Sequence, residues 1–176
     1  MSKFNRISAI ALCVTTVLAT ASCGSSTLSI PDEFCRTPTE KSALSPLIPE
    51  GENLQQKYKE TQARTGAFCT LKVDGHQVLF ITIQKYDRKP DPVDWEIVAS
   101  TYKNAAKRKV SFAGGAVIGS DRGVVQATCD STSTYMSFAI DFRGDRVEDS
   151  AQGYKKLQRF IDDFVPRQTK RYECTT

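Results

Sequence analysis

Six cysteines, at positions 13, 23, 35, 69, 129 and 174, are the most chemically legible residues of this 176-residue chain. A thiol can be alkylated, oxidised to a disulfide, or deprotonated into a nucleophile or metal ligand. Nucleophilic use needs a base, and the chain has a single histidine, His76. It stands beside a turn, with no nucleophile and orienting acid in a recognisable arrangement. One histidine cannot complete a His-based zinc site beside oxidised cysteines. Gly119-Ser120-Asp121-Arg122-Gly123 is not a nucleophile elbow, because the serine is off-centre and no helix follows. Asp141, Asp145, Glu148 and Asp149 lack the alternating ligand register and turn glycine of a calcium loop. Arg143 and Arg146 sit among them, which suits helix capping and a solvated loop better. Arg143-Gly144-Asp145 spells an adhesion tripeptide of a length that recurs by chance. No catalytic residue, metal ligand or cofactor is therefore assigned.

Alkylation is the better-supported chemistry, at Cys23. Lys3 and Arg6 precede an uncharged apolar run from Ile7 to Thr20, and small residues follow, the tripartite pattern of an export leader. The run is shorter than the ~20 residues that span a bilayer. Two cleavage sites compete. Ala19-Thr20-Ala21 suits release of a free protein beginning at Ser22. Thr20-Ala21-Ser22-Cys23 resembles a bacterial lipobox, with Thr20 where leucine is usual. Cysteine parity favours the second reading: with Cys13 lost and Cys23 acylated, four cysteines remain for disulfides in an oxidising compartment. The expected plan is a leader over 1–22, lipidated Cys23 with a flexible tether over 23–30, and one domain over 31–176. Acyl chains at about 0.8 kcal/mol per buried CH₂ hold such a protein at the membrane effectively permanently. Loss of the leader takes the chain from 24 basic side chains to 22 against 20 acidic, a net charge of +2 instead of +4. That is too little to suggest a nucleic-acid partner.

The elements that would carry these residues follow from periodicity. Thr39 to Leu47 has room for a helical turn or two before Pro49. Glu52 to Thr65 is polar nearly all round and reads as a surface helix or exposed loop. Ala67 to Val73 and Gln77 to Tyr86 are strand-like runs around Asp74-Gly75, a type I′ hairpin signal. A helix should follow, capped by Asp91 with Pro92 at its first position, its stripe running Trp95, Val98, Ala99, Tyr102 and Ala106. Lys103, Lys107, Arg108 and Lys109 would crowd its far end. Strands are expected at Gly115 to Ile118, Gly123 to Cys129 and Tyr135 to Phe142. A last helix should run from about Ser150 to Phe164, stopped by Pro166. Arg167, Lys170 and Arg171 would then offset its dipole, or meet anionic lipid heads or wall polymers. The order predicts an α+β domain, a mainly antiparallel sheet of about five strands packed with two amphipathic helices and stapled by two disulfides. Four cysteines allow three pairings. Cys35–Cys174, joining the ends, with Cys69–Cys129, joining strands, is the expectation, and the other two stay open.

Ala21-Ser22-Cys23-Gly24-Ser25-Ser26 at the leader's end, Phe34-Cys35 after the tether, Phe68-Cys69 on the first strand of the hairpin, Ala127-Thr128-Cys129 and Tyr172-Glu173-Cys174 form one architecture. In this arrangement the chain resembles the small secreted lipoproteins of unknown function that are abundant in actinobacteria. The resemblance implies extracytoplasmic display, an α+β domain and disulfides, and transfers no catalytic residues. The functional expectation is a non-enzymatic domain held at the membrane through Cys23, binding an envelope protein or wall polymer. A hydrolase using paired Asp and Glu, and a small solute-binding lipoprotein, are the alternatives.

Overall fold

Strict alternation of buried and half-exposed side chains decides most of this fold. In the computed structural model, which describes residues 28–62, 65–88, 91–129, 135–144 and 153–174, strands Tyr135–Phe142 (β9) and Arg122–Thr128 (β8) alternate without a break. Each must bury one side chain in two against a covering layer.

The sheet has seven strands in the order β3-β4-β5-β9-β8-β7-β6, all neighbours antiparallel. One meander comprises Leu54–Glu60 (β3), Gly66–Val73 (β4) and His76–Tyr86 (β5). The other comprises Ala106–Arg108 (β6), Gly114–Ile118 (β7), β8 and β9. They meet in the middle, where β5 pairs with β9. The connection from β5 to the far edge carries the helix Trp95–Thr101 (α2). A small antiparallel hairpin of Glu33–Phe34 (β1) and Thr37–Pro38 (β2) stands apart from this sheet. Lys41–Leu44 (α1) leads from it into a 3-10 turn at Ser45–Leu47.

One face of the sheet is fully covered. Leu157, Phe160, Ile161, Phe164 and Val165 of the long helix Tyr154–Arg171 (α3) are wholly buried. They belong to one core with Cys69, Leu71, Ile81, Ile83, Phe138 and Ile140 of the strands. Phe34 brings the small hairpin into that layer, its ring 6.3 Å from Phe160 and 5.9 Å from Phe164. Leu28 and Ile30, within the expected tether, also pack partly buried against the core.

The expected α+β architecture is present, with corrections. Leu54–Glu60, half of the stretch expected to be a surface helix or an exposed loop, is the strand β3. The hairpin turn pulls it in: Asp74 (φ 49°) and Gly75 (φ 81°) make the tight turn, and the Asp74 carboxylate accepts the N–H groups of Glu52 (3.2 Å) and Asn53 (2.8 Å). The helix after β5 is shorter than its stripe suggests and is capped by Asp94, whose carboxylate accepts from the N–H of Glu96 and Ile97, both 3.1 Å. It ends at Tyr102, so Lys107 and Arg108 lie on β6 and no basic cluster sits on its last turn.

Pro166 does not stop α3, which runs on to Arg171. Proline cannot supply the N–H that would reach the carbonyl of Asp162, four residues back. The Ser111 hydroxyl approaches that carbonyl instead at 3.4 Å, while the Ser111 N–H donates to the Asp162 carboxylate at 2.9 Å. The last turn is held by tertiary partners. The Gln168 amide donates to the Cys35 carbonyl at 3.1 Å, and Lys85 Nζ donates to the Tyr172 carbonyl at 3.1 Å.

The disulfides are Cys35–Cys69 and Cys129–Cys174, not the expected Cys35–Cys174 with Cys69–Cys129. Strand order is the reason. Cys69 on β4 is separated from the end of β8 by β5 and β9, about 14 Å at three strand spacings. A disulfide tolerates roughly 7 Å between Cα atoms. Cys35 lies in the turn of the small hairpin and Cys174 just past α3. Their Cα atoms come 5.7 Å from Cys69 and 4.7 Å from Cys129 respectively.

Candidate functional site

Covering one face of a sheet leaves the other to be accounted for. Among the described residues the second face receives only α2, which lies over the β6–β7 end. Trp95 rests on Gly115, where a Cβ atom would come within 2.8 Å of the indole ring; any larger residue would lift the helix. Tyr102, at the end of α2, takes the Arg122 guanidinium over its ring at 5.0 Å, and Arg122 in turn pairs with Asp141 on β9. This stack is the inner boundary of α2's cover. From it to the β3 edge the sheet face carries no covering element among the described residues.

Register identifies what the open area presents. Lys59 of β3 lies opposite Phe68 of β4, which lies opposite Thr82 of β5 and, through it, Ala139 of β9. The next row reads Lys57, Thr70, Phe80 and Asp141, ending on Arg122. Lys72 continues the β4 side beyond a bulge. On the other flank Gln84 faces Ser137. The Tyr86 hydroxyl donates to Gln84 Oε1 at 2.6 Å and receives the Ser137 hydroxyl at 3.3 Å.

Phe68 and Phe80 stack with centroids 6.1 Å apart and planes 10° from parallel. Phe68 keeps 38% of its surface in solvent although it lies on an inner strand. Lys57, Lys59 and Lys72 are exposed, and no acid among the described residues pairs with them. The surface is thus a cationic, partly aromatic platform flanked by hydroxyl and amide groups. Among the described residues its strands present one carboxylate on this face, Asp141, already engaged by Arg122.

A second polar cluster lies on the covered side, where α3 ends against β3. Arg171 donates to the Tyr58 hydroxyl at 3.0 Å, which is 3.4 Å from that of Tyr172. Arg36 and Arg171 lie over the Tyr58 ring at 4.7 and 5.1 Å, and both reach Glu60 at 3.8 Å. Burial pushes the Tyr172 phenol well above the usual tyrosine range, and the hydrogen bond with Tyr58 adds to the rise. These groups satisfy one another, so the cluster ties the last turn of α3 to the edge strand.

The residues singled out from the sequence are dispersed. His76 is exposed at the start of β5, in register with Val73. Asp141 is paired with Arg122, and Asp145, Glu148 and Asp149 lie outside the described residues, as does Cys23. Arg143 of the tripeptide spends its backbone N–H on the Val78 carbonyl at 2.8 Å. Arg167 is bound by Asp163 at 2.8 Å and Glu40 at 2.9 Å, and Arg108 stacks on Tyr154 at 3.6 Å. Among the described residues no three His, Cys, Asp or Glu side chains converge as for a metal, and no helix is long and apolar enough to cross a membrane. The platform was missed because two of its lysines fall in the stretch read as helix or loop. The Gln55, Lys57, Lys59 alternation was the available signal. Compared with protein-family models, curated proteins and solved structures, the chain matches none.

Proposed function

We propose that this chain is an exported, lipid-anchored, non-enzymatic binding domain of the cell envelope, and that the open sheet face is its binding surface. The single observation that carries the reading is the asymmetry of the sheet. One face is covered by α3 and the small hairpin, while the other exposes Phe68 and three lysines that no acid among the described residues pairs with, on a seven-stranded support. An aromatic pair with one ring exposed and charge beside it marks an interaction site better than it marks a reaction centre. A hydrolase working through two carboxylates needs them about 5–9 Å apart across a cleft, and among the described residues the strands present Asp141 on this face, paired with Arg122.

Support for export comes from the leader pattern and from the even set of four cysteines joined in two bonds, the state expected outside the cytoplasm. Cys23 lies five residues before Leu28, which packs partly buried against the core, and would tether the domain within about 17 Å of its anchor.

Two measurements test this. Mass spectrometry of the mature amino terminus should find diacylglyceryl-modified Cys23; a chain retaining Met1 with reduced thiols refutes export. A photo-crosslinking residue at position 82 in living cells should give discrete adducts, and one at the exposed Lys155 should not. Equal labelling from both positions would refute the open face as the binding surface.

A further inference from the structure

We infer that the ligand of the open face is an acidic glycan, a carbohydrate chain bearing carboxylate or phosphate groups. This deepens the binding-domain reading and rests on it. Three features of one surface point the same way. Lys57, Lys59 and Lys72 project from two neighbouring strands, with Lys57 and Lys59 about 7 Å apart along β3, and none has an acidic partner among the described residues. They concentrate positive potential on one half of the face of a chain whose overall charge is small. That potential is complementary to a ligand with repeating negative groups.

Directly opposite Lys59 is Phe68, stacked with Phe80. The π-face of an aromatic ring is electron-rich and receives the polarised C–H face of a pyranose. Both rings are more than half-buried against their surroundings, so neither stands out as a wedge to enter an acyl layer. Thr70 and Thr82 lie beside the rings, and Gln84 and Ser137 beyond Thr82; these groups donate and accept hydrogen bonds in the mixed pattern that sugar hydroxyls require. Anion, ring face and hydroxyl are thus matched side by side.

Ordinary sheet chemistry explains part of this surface. Lysines on an edge strand discourage edge-to-edge association, which accounts for Lys57 and Lys59. It does not account for Lys72 and Phe68, which lie on β4 between two partners.

The test uses the mature domain with both disulfides intact and isothermal titration against polygalacturonate, a phosphorylated mannan, neutral dextran and phosphatidylglycerol vesicles. Binding to at least one of the two acidic glycans is expected, weakening at least tenfold between 50 and 300 mM salt, a range over which about three ion contacts would be screened. The triple variant Lys57→Gln, Lys59→Gln, Lys72→Gln should lose at least tenfold and most of the salt dependence. Phe68→Ala should lose about tenfold with the salt dependence kept, and Phe68→Tyr should restore binding; unchanged near-ultraviolet dichroism shows that each variant is folded. Failure of both acidic glycans, equal binding by the triple variant, or vesicles bound more tightly than either glycan would overturn the inference. Crosslinking specific to position 82 would in that event leave the binding-domain reading standing with a different ligand.

Discussion

Tyr172 shows how a single side chain can report on the fold. It lies at the end of α3 with its hydroxyl near Tyr58, and burial disfavours its ionised form. A phenol whose pKa is raised in the folded state contributes stability that is complete below the unfolded value, near 10, and is lost as pH rises toward the folded value. Urea midpoints should therefore fall between pH 9 and pH 11, and Tyr172→Phe should flatten that decline while leaving the unfolding free energy at pH 7 within about 1 kcal/mol of the parent. An alkaline slope unchanged in the variant would show that Tyr172 does not carry it. His76, the single histidine of the chain, is by contrast an exposed position at a hairpin turn. Residue type suggested chemistry there, and the surroundings supply none.

At the scale of elements, α3 and β3 show local preference yielding to context. Proline inside a helix costs about 3 kcal/mol because it removes a hydrogen bond and crowds the preceding turn. The helix nevertheless passes Pro166, since Phe164 and Val165 before it and Gln168 and Thr169 after it are buried. Pro166→Ala should accordingly stabilise the domain by about 1–2 kcal/mol, the regained helix propensity being partly offset by a more flexible unfolded chain. Denaturant titration decides this, and a loss of stability would mean that the proline ring itself packs. In β3, Leu54 and Tyr58 are spaced by four and suit a helix face as well as a strand face. Only the pairing of all seven residues with β4 selects the strand. The lysines of the platform became a face through that pairing, so the candidate site was invisible for as long as the strand was.

Across the whole molecule, the two disulfides close loops between residues separated by 34 and 45 positions. Each should contribute about 3–4 kcal/mol, chiefly by restricting the unfolded chain. Cys129→Ser with Cys174→Ser should lose that amount and expose the amides at the end of α3 to hydrogen exchange. Peptide mapping without reduction should recover 35 linked to 69 and 129 linked to 174; a 69–129 link would contradict the strand order. What the sequence alone determined is what short-range periodicity encodes: the hairpin at Asp74-Gly75, the alternation of β8 and β9, the apolar stripe of α3, and hence the α+β class. The tertiary structure decided which cysteines meet, how far α3 continues, that Leu54–Glu60 forms an edge strand, and which sheet face stays uncovered. Each of these depends on groups brought together from distant parts of the chain, and a pattern read over ten or twenty residues carries no record of which strand lies beside which.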